Sequence, residues 1–179
     1  PMHDVAITGM GIISAIGLSA GEFHRRVLEG ACGIKPAPWS SKLPGQRAWW
    51  GAITDFVPRD WMDEKIEDGT DLFAQFALAA AEQALQQAGG GAAFDPLRTG
   101  IVHGTSIGGS RALMKAQHRL ETDGPQAIPR KTEIQIYPNM AASQIAMRHH
   151  LHGPSLTVTT ACASSLDAIG TAAWLIESG

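Results

Sequence analysis

Apolar and polar positions alternate along this chain in two rhythms. Helical spacing is clearest over residues 71–88, where Leu72, Phe76, Ala79, Ala80, Gln83 and Leu85 recur along a small-residue face. Further helices are predicted over residues 19–28, 110–121, 139–150 and 163–176. Short runs that are β-branched or continuously apolar predict strands over residues 5–13, 98–104 and 156–160, with a short one near 52–56. Punctuation agrees with this pattern. Ser19 followed by Glu22 predicts a capping box at the start of the first helix, and Gly30 and Gly33 end it. Gly89, Gly90 and Gly91 stop the helix of residues 71–88, and Gly153-Pro154 closes that of 139–150. Residues 34–60, with Pro36, Pro38, Pro44 and Pro58, read as a surface excursion, and residues 123–138 as loop. The order of elements predicts an α/β domain with a layered sheet.

Cys162 sits where the last strand gives way to the last helix. A thiol there meets unpaired backbone N–H groups and the positive end of a helix dipole, both of which favour thiolate. Ala161, Ala163, Ser164 and Ser165 are small and leave room for a substrate. On the helix that follows, Leu166, Ile169, Gly170, Ala173 and Ile176 share one face. A free cysteine is also commonly a small buried hydrophobe, and position alone leaves both readings open.

Composition narrows the class. The chain has 179 residues, 44% hydrophobic and 17% charged, enough for one domain with a sizeable core. A net charge of −3 does not call for nucleic acid. Two cysteines, Cys32 and Cys162, make no disulfide framework and fit a reducing, cytoplasmic setting. No apolar run is long enough to span a membrane, and no signal peptide is expected. The Gly9–Gly11 pair lacks the third glycine of a dinucleotide fingerprint, because Ser14 stands there, so close backbone packing is the expected role. Trp39, Trp49, Trp50 and Trp61 are expected to anchor the excursion onto the body rather than line a ligand groove. His103 reads as a core or edge histidine, and His149, His150 and His152 as a solvated helix end, since their spacing is not that of a helical metal pair. No metal site is expected.

The segment TACASSLDAIGTAAWLIESG around Cys162 resembles the active-site segment of β-ketoacyl-acyl-carrier-protein synthases. VAITGMGIISAIG, DLFAQFALAAAEQALQQAG, RTGIVHGTSIGG and NMAASQIAMRHHLHGPS resemble that family's opening strand, first long helix, glycine turn and pre-cysteine helix, in family order across almost the whole chain. The resemblance implies the N-terminal part of a thiolase-like fold, a layered α-β-α-β-α body. It implies that Cys162 accepts an acyl group from an acyl carrier protein. Decarboxylative condensation with a malonyl carrier thioester then extends the chain by two carbons. The Cys162 backbone N–H would be an oxyanion donor, and Ile107 would touch the acyl chain. A residue near Ile134 to Tyr137 would reach a partner subunit's pocket. No cofactor is implied, and a homodimer or ketosynthase heterodimer is.

Two departures qualify the match. The family's HGTGT and NSFGFGG segments are absent, so a C-terminal half supplying the histidines and lysine of condensation is expected on another chain or in further polypeptide, and residues 1–179 alone are expected to be inactive. Where bacterial fatty-acid enzymes carry a basic run that meets the acidic carrier, this chain has RDWMDEKIEDGTD. Rim charge governs partner choice, so a dedicated polyketide-type carrier becomes plausible. LDAIG after the cysteine also resembles type II polyketide ketosynthases. The competing readings are a CoA-dependent condensing enzyme and a non-catalytic ketosynthase-like partner.

Overall fold

A computed structural model describes residues 3–42, 45, 47–90 and 93–179. Pro44 of the predicted excursion and Gly91 of the predicted helix stop lie outside the described residues. The elements in chain order are α1 (Ala20–Leu28), β1 (Ile34–Pro36), β2 (Trp49–Gly51), α2 (Glu64–Gly69), α3 (Leu72–Gln87), β3 (Ile101–Gly104), α4 (Ser110–Asp123), α5 (Thr132–Ile136), α6 (Met140–His149), β4 (Ser155–Val158) and α7 (Ser164–Ser178), with short 3-10 turns between several of them.

β3 and β4 pair in parallel, Ile101 opposite Ser155 and Gly104 opposite Val158. Side chains alternate across this pair. Ile101 faces the cluster of Met62, Leu78 and Ile145 contributed from beside α2, from α3 and from α6. His103, two residues on, points the same way, its ring 6.3 Å from that of Phe73. Gly104 faces the other side, where a Cβ would stand 2.3 Å from the Ser164 carbonyl oxygen of α7. The result is an α–β–α layer: α3 and α6 below, the strands between, α7 above. A small antiparallel hairpin, β1 with β2, stands apart from it.

The helix forecasts hold to within a residue or two at most ends. The Ser19 hydroxyl accepts the Glu22 N–H at 3.2 Å, and the Glu22 carboxylate accepts the Leu18 N–H at 3.0 Å, one residue beyond the usual capping-box partner. The strand near 52–56 forms earlier, at Trp49–Gly51, and the loop of 123–138 contains α5.

The largest difference is residues 5–13, which form no strand. This segment lies along α3, where the Gln87 side-chain oxygen accepts the Met10 N–H at 2.6 Å and that of Gln83 the Ile12 N–H at 3.2 Å. A Cβ at Gly9 or Gly11 would fall 2.0 and 1.9 Å from the carbonyl oxygens of Ala84 and Ala80. The two glycines therefore serve close backbone packing, as read from the sequence.

The tryptophans divide. Trp61 packs on the core cluster. Trp39 and Trp50 pack edge-to-face on each other at 4.6 Å, and Trp49 stays exposed. His149 is turned inward, 3.5 Å from the Glu82 carboxylate, rather than solvated, whereas His150 and His152 are exposed. His150 takes a left-handed conformation, φ 53°, that ends α6.

Candidate active site

Parallel strands deliver their carboxyl ends to the same edge, which is where open α/β layers build sites. Here β3 and β4 each end in a tight turn. The turn after β3, Thr105 to Gly109, carries Ile107. Its glycines are dictated by neighbours: a Cβ on Gly109 would sit 1.9 Å from the Gln135 carbonyl oxygen, and Gly108 is packed on Pro138 with φ +61°. Ile107 is 70% exposed. The turn after β4, Ala161–Ala163, is a single 3-10 turn that carries Cys162. The Thr105 N–H bonds the Val158 carbonyl at 3.1 Å, holding the two turns side by side.

Cys162 is exposed, so the buried-hydrophobe reading does not describe it. The residue before it, Ala161, has φ +55°, left-handed backbone that a side chain adopts at a cost of about 1–2 kcal/mol. Strain of this kind persists only where the surroundings over-determine it. Among the described residues, the Cys162 N–H has no hydrogen-bond acceptor, whereas the Ala163 N–H is used by Thr160. The thiol and a free N–H thus stand together at the head of α7. Thr160 also donates its hydroxyl to Asp167 in the first turn of that helix.

Three features were not read from the sequence. Ser164 is 2% exposed and hydrogen-bonded within the cysteine turn. Asp71, almost buried, accepts the Leu72 N–H with one carboxylate oxygen and the Ala112 N–H with the other, each at 2.6 Å, and so pins the start of α4 directly behind the Ile107 turn. Its place just ahead of a helix was a usable capping signal, but the second bond joins residues far apart in sequence. Finally, Lys115, Arg130 and Lys131 rim a cavity of about 360 Å³ with Asp68, Thr132 and Gln135. Cys162 is not part of its wall. No cluster of three or more His, Cys, Asp or Glu side chains fit for a metal occurs among the described residues.

The family model "Beta-ketoacyl synthase, N-terminal domain" matches residues 2–179. The chain belongs to that family. Among curated relatives of this ketosynthase domain, the 3-oxoacyl-[acyl-carrier-protein] synthase 2 of Rhizobium meliloti (strain 1021) is 33% identical, the match covering 99% of this chain and 44% of that protein. Among solved structures, the ishigamide ketosynthase/chain length factor superposes with a TM-score of 0.80 at 26% identity, covering 96% of this chain and 45% of that one. A type II PKS ketosynthase in complex with its acyl-carrier protein and bound to the hexaketide superposes with a TM-score of 0.81 at 21% identity, covering 97% and 46%, and supports the fold alone. The ketosynthase domain therefore has the N-terminal part of a thiolase-like fold, as the resemblance implied, and spans less than half the length of the relatives it matches.

Proposed function

We propose that this chain provides the acyl-accepting half of a β-ketoacyl synthase, with Cys162 as nucleophile. The carrying observation is an exposed thiol on a strained turn at the shared carboxyl edge of two parallel strands, beside an unused backbone N–H. The Cys162 sulfur attacks the carbonyl of an acyl-carrier thioester. The oxyanion of the tetrahedral intermediate is met by the Cys162 N–H. The bond to the carrier's sulfur breaks, and that sulfur leaves as a thiol, leaving an acyl-enzyme. In the second stage a malonyl-carrier thioester loses carbon dioxide and its carbon attacks the acyl-enzyme carbonyl. The new C–C bond displaces the Cys162 sulfur, and the β-ketoacyl product has two more carbons.

This second stage needs groups that residues 1–179 do not contain, so the proposal includes a C-terminal half, on another chain or in further polypeptide of this one. The exposed area supports that reading. The chain exposes 11,827 Å², against about 8,300 Å² for a compact monomer of its mass. Ile107 then lines the acyl channel.

The carrier's landing surface is argued from charge. Residues 59–71 carry six acids and two cations. One cation, Arg59, is already engaged by Glu64 and Glu67, which raise its pKa. The basic rim of Lys115, Arg130 and Lys131 is the better match for an acidic carrier.

The test is intact mass after incubation with an acyl-carrier thioester and, separately, with the acyl-CoA. A carrier-dependent acyl adduct, lost in Cys162→Ala, is expected. Acylation from CoA alone would move the chain to the CoA-dependent enzymes. No adduct, even with the C-terminal half present, would leave a non-catalytic partner. In the same assay Ile107→Trp is expected to shorten the longest acyl group accepted.

A further inference from the structure

We infer that Ser164, two residues after the nucleophile, is the positioning residue that holds Cys162 in its reactive turn and ties that turn to the one carrying Ile107. The inference rests on the nucleophile reading above and adds a role that the reading does not need.

The geometry is specific. The Ser164 side chain is 2% exposed at the first position of α7. Its oxygen accepts the Thr160 N–H at 2.9 Å. Its single proton has two acceptors, the Ala161 carbonyl at 2.7 Å and the Thr105 carbonyl at 3.2 Å. Thr160 leads into, and Ala161 forms, the left-handed kink that presents Cys162. Thr105 begins the turn of Ile107, and its own N–H is fixed to β4. One hydroxyl therefore joins three backbone segments: the approach to the kink, the kink itself, and the neighbouring turn.

No other side chain among the described residues bonds both turns. A hydroxyl in this place satisfies a backbone donor that is otherwise stranded, because the kink denies Thr160 a regular partner. The adjoining Gly104 leaves room for the arrangement, since a Cβ there would strike the Ser164 carbonyl oxygen and Ser165 Cα at 2.3 and 2.8 Å. Burial of Ser164 comes from its own chain, so this contact does not depend on what covers the open faces of the molecule.

A hydroxyl that only began a helix would contribute to stability and leave the cysteine's chemistry alone. Positioning makes a further demand: the sulfur's reactivity follows the hydroxyl. The experiment is the rate of Cys162 alkylation by iodoacetamide in the full chain, read by peptide mass, with Cys32 as an internal reference thiol. Ser164→Ala is expected to slow Cys162 about tenfold relative to Cys32, a loss of about 1.4 kcal/mol. Ser178→Ala, at the far end of the same helix, is expected to leave the ratio unchanged. If Ser164→Ala does not fold, the matched pair Ser164→Thr and Ser164→Val carries the comparison. These two differ only in the hydroxyl, and Thr is expected to react faster.

An unchanged Cys162 to Cys32 ratio in folded Ser164→Ala, or equal rates in the Thr and Val variants, overturns the inference and leaves the nucleophile reading standing. Wild-type Cys162 that resists alkylation while Cys32 reacts overturns both.

Discussion

At the scale of single residues, Ala161 and His103 give the sharpest expectations. Ala161 holds φ +55°, a conformation glycine adopts without a steric penalty. Ala161→Gly removes a cost of about 1–2 kcal/mol and gives back about half in unfolded-state freedom. The thermal midpoint is expected to rise by about 2 °C, measurable by calorimetry. His103 is held below its ordinary value of 6.5 by burial, and its Nε2 is buried with no partner. Burial disfavours the charged ring, so the unfolded chain binds more protons just below 6.5. Stability is therefore full above that value and falls as pH drops through it toward the lowered folded value, with a slope of up to about 1.4 kcal/mol per pH unit. Urea midpoints measured from pH 7.5 to 5 should show that slope in the wild type and lose it in His103→Phe.

At the scale of elements, much of the fold was legible and the gaps have physical causes. α3 was readable because its period and its glycine stop agree. The capping box on α1 was readable because it is local. Residues 5–13 were not, because a strand requires a neighbour to pair with, and this segment lies against a helix instead. For α7 the apolar residues do share a face, but that face is not the one packed on the strands. Ser164 and Ala168 are buried toward the strands, whereas Leu166, Ile169 and Ile176, the predicted stripe, are 74, 62 and 50% exposed. Ala168, Ala172 and Leu175 give α7 apolar residues on a second side as well, so spacing alone does not say which side meets its nearest layer. The strand–helix joint that carries Cys162 was legible, because β4 and α7 each show their own local pattern, while Ser164 and Asp71 act through partners dozens of residues away. The same close packing makes Gly11→Ala damaging. Its methyl would meet backbone, which cannot rotate away, and a loss of about 3 kcal/mol is expected from the urea midpoint.

At the scale of the whole molecule, large apolar side chains stay exposed from Val5 to Ile176, the stripe of α7 among them. His3, Val102, Pro154, Leu175 and Ile176 line a groove of about 770 Å³ beside β3, and Ile176 belongs to that stripe. A chain with so much uncovered apolar area is expected to bind the dye ANS when alone. Supplying the C-terminal half should abolish that signal and raise the unfolding temperature. Dye binding that is unaffected by the added half would leave the area without this partner.

The parallel pair has one more consequence. Among the described residues β3 and β4 are its two members, and each strand keeps one rim of peptide groups unbonded to any described strand. Such rims are templates for indiscriminate stacking, which mature proteins blunt or cover. Polypeptide that pairs along these rims, on the same chain or another, would therefore also shield them from edge-to-edge aggregation.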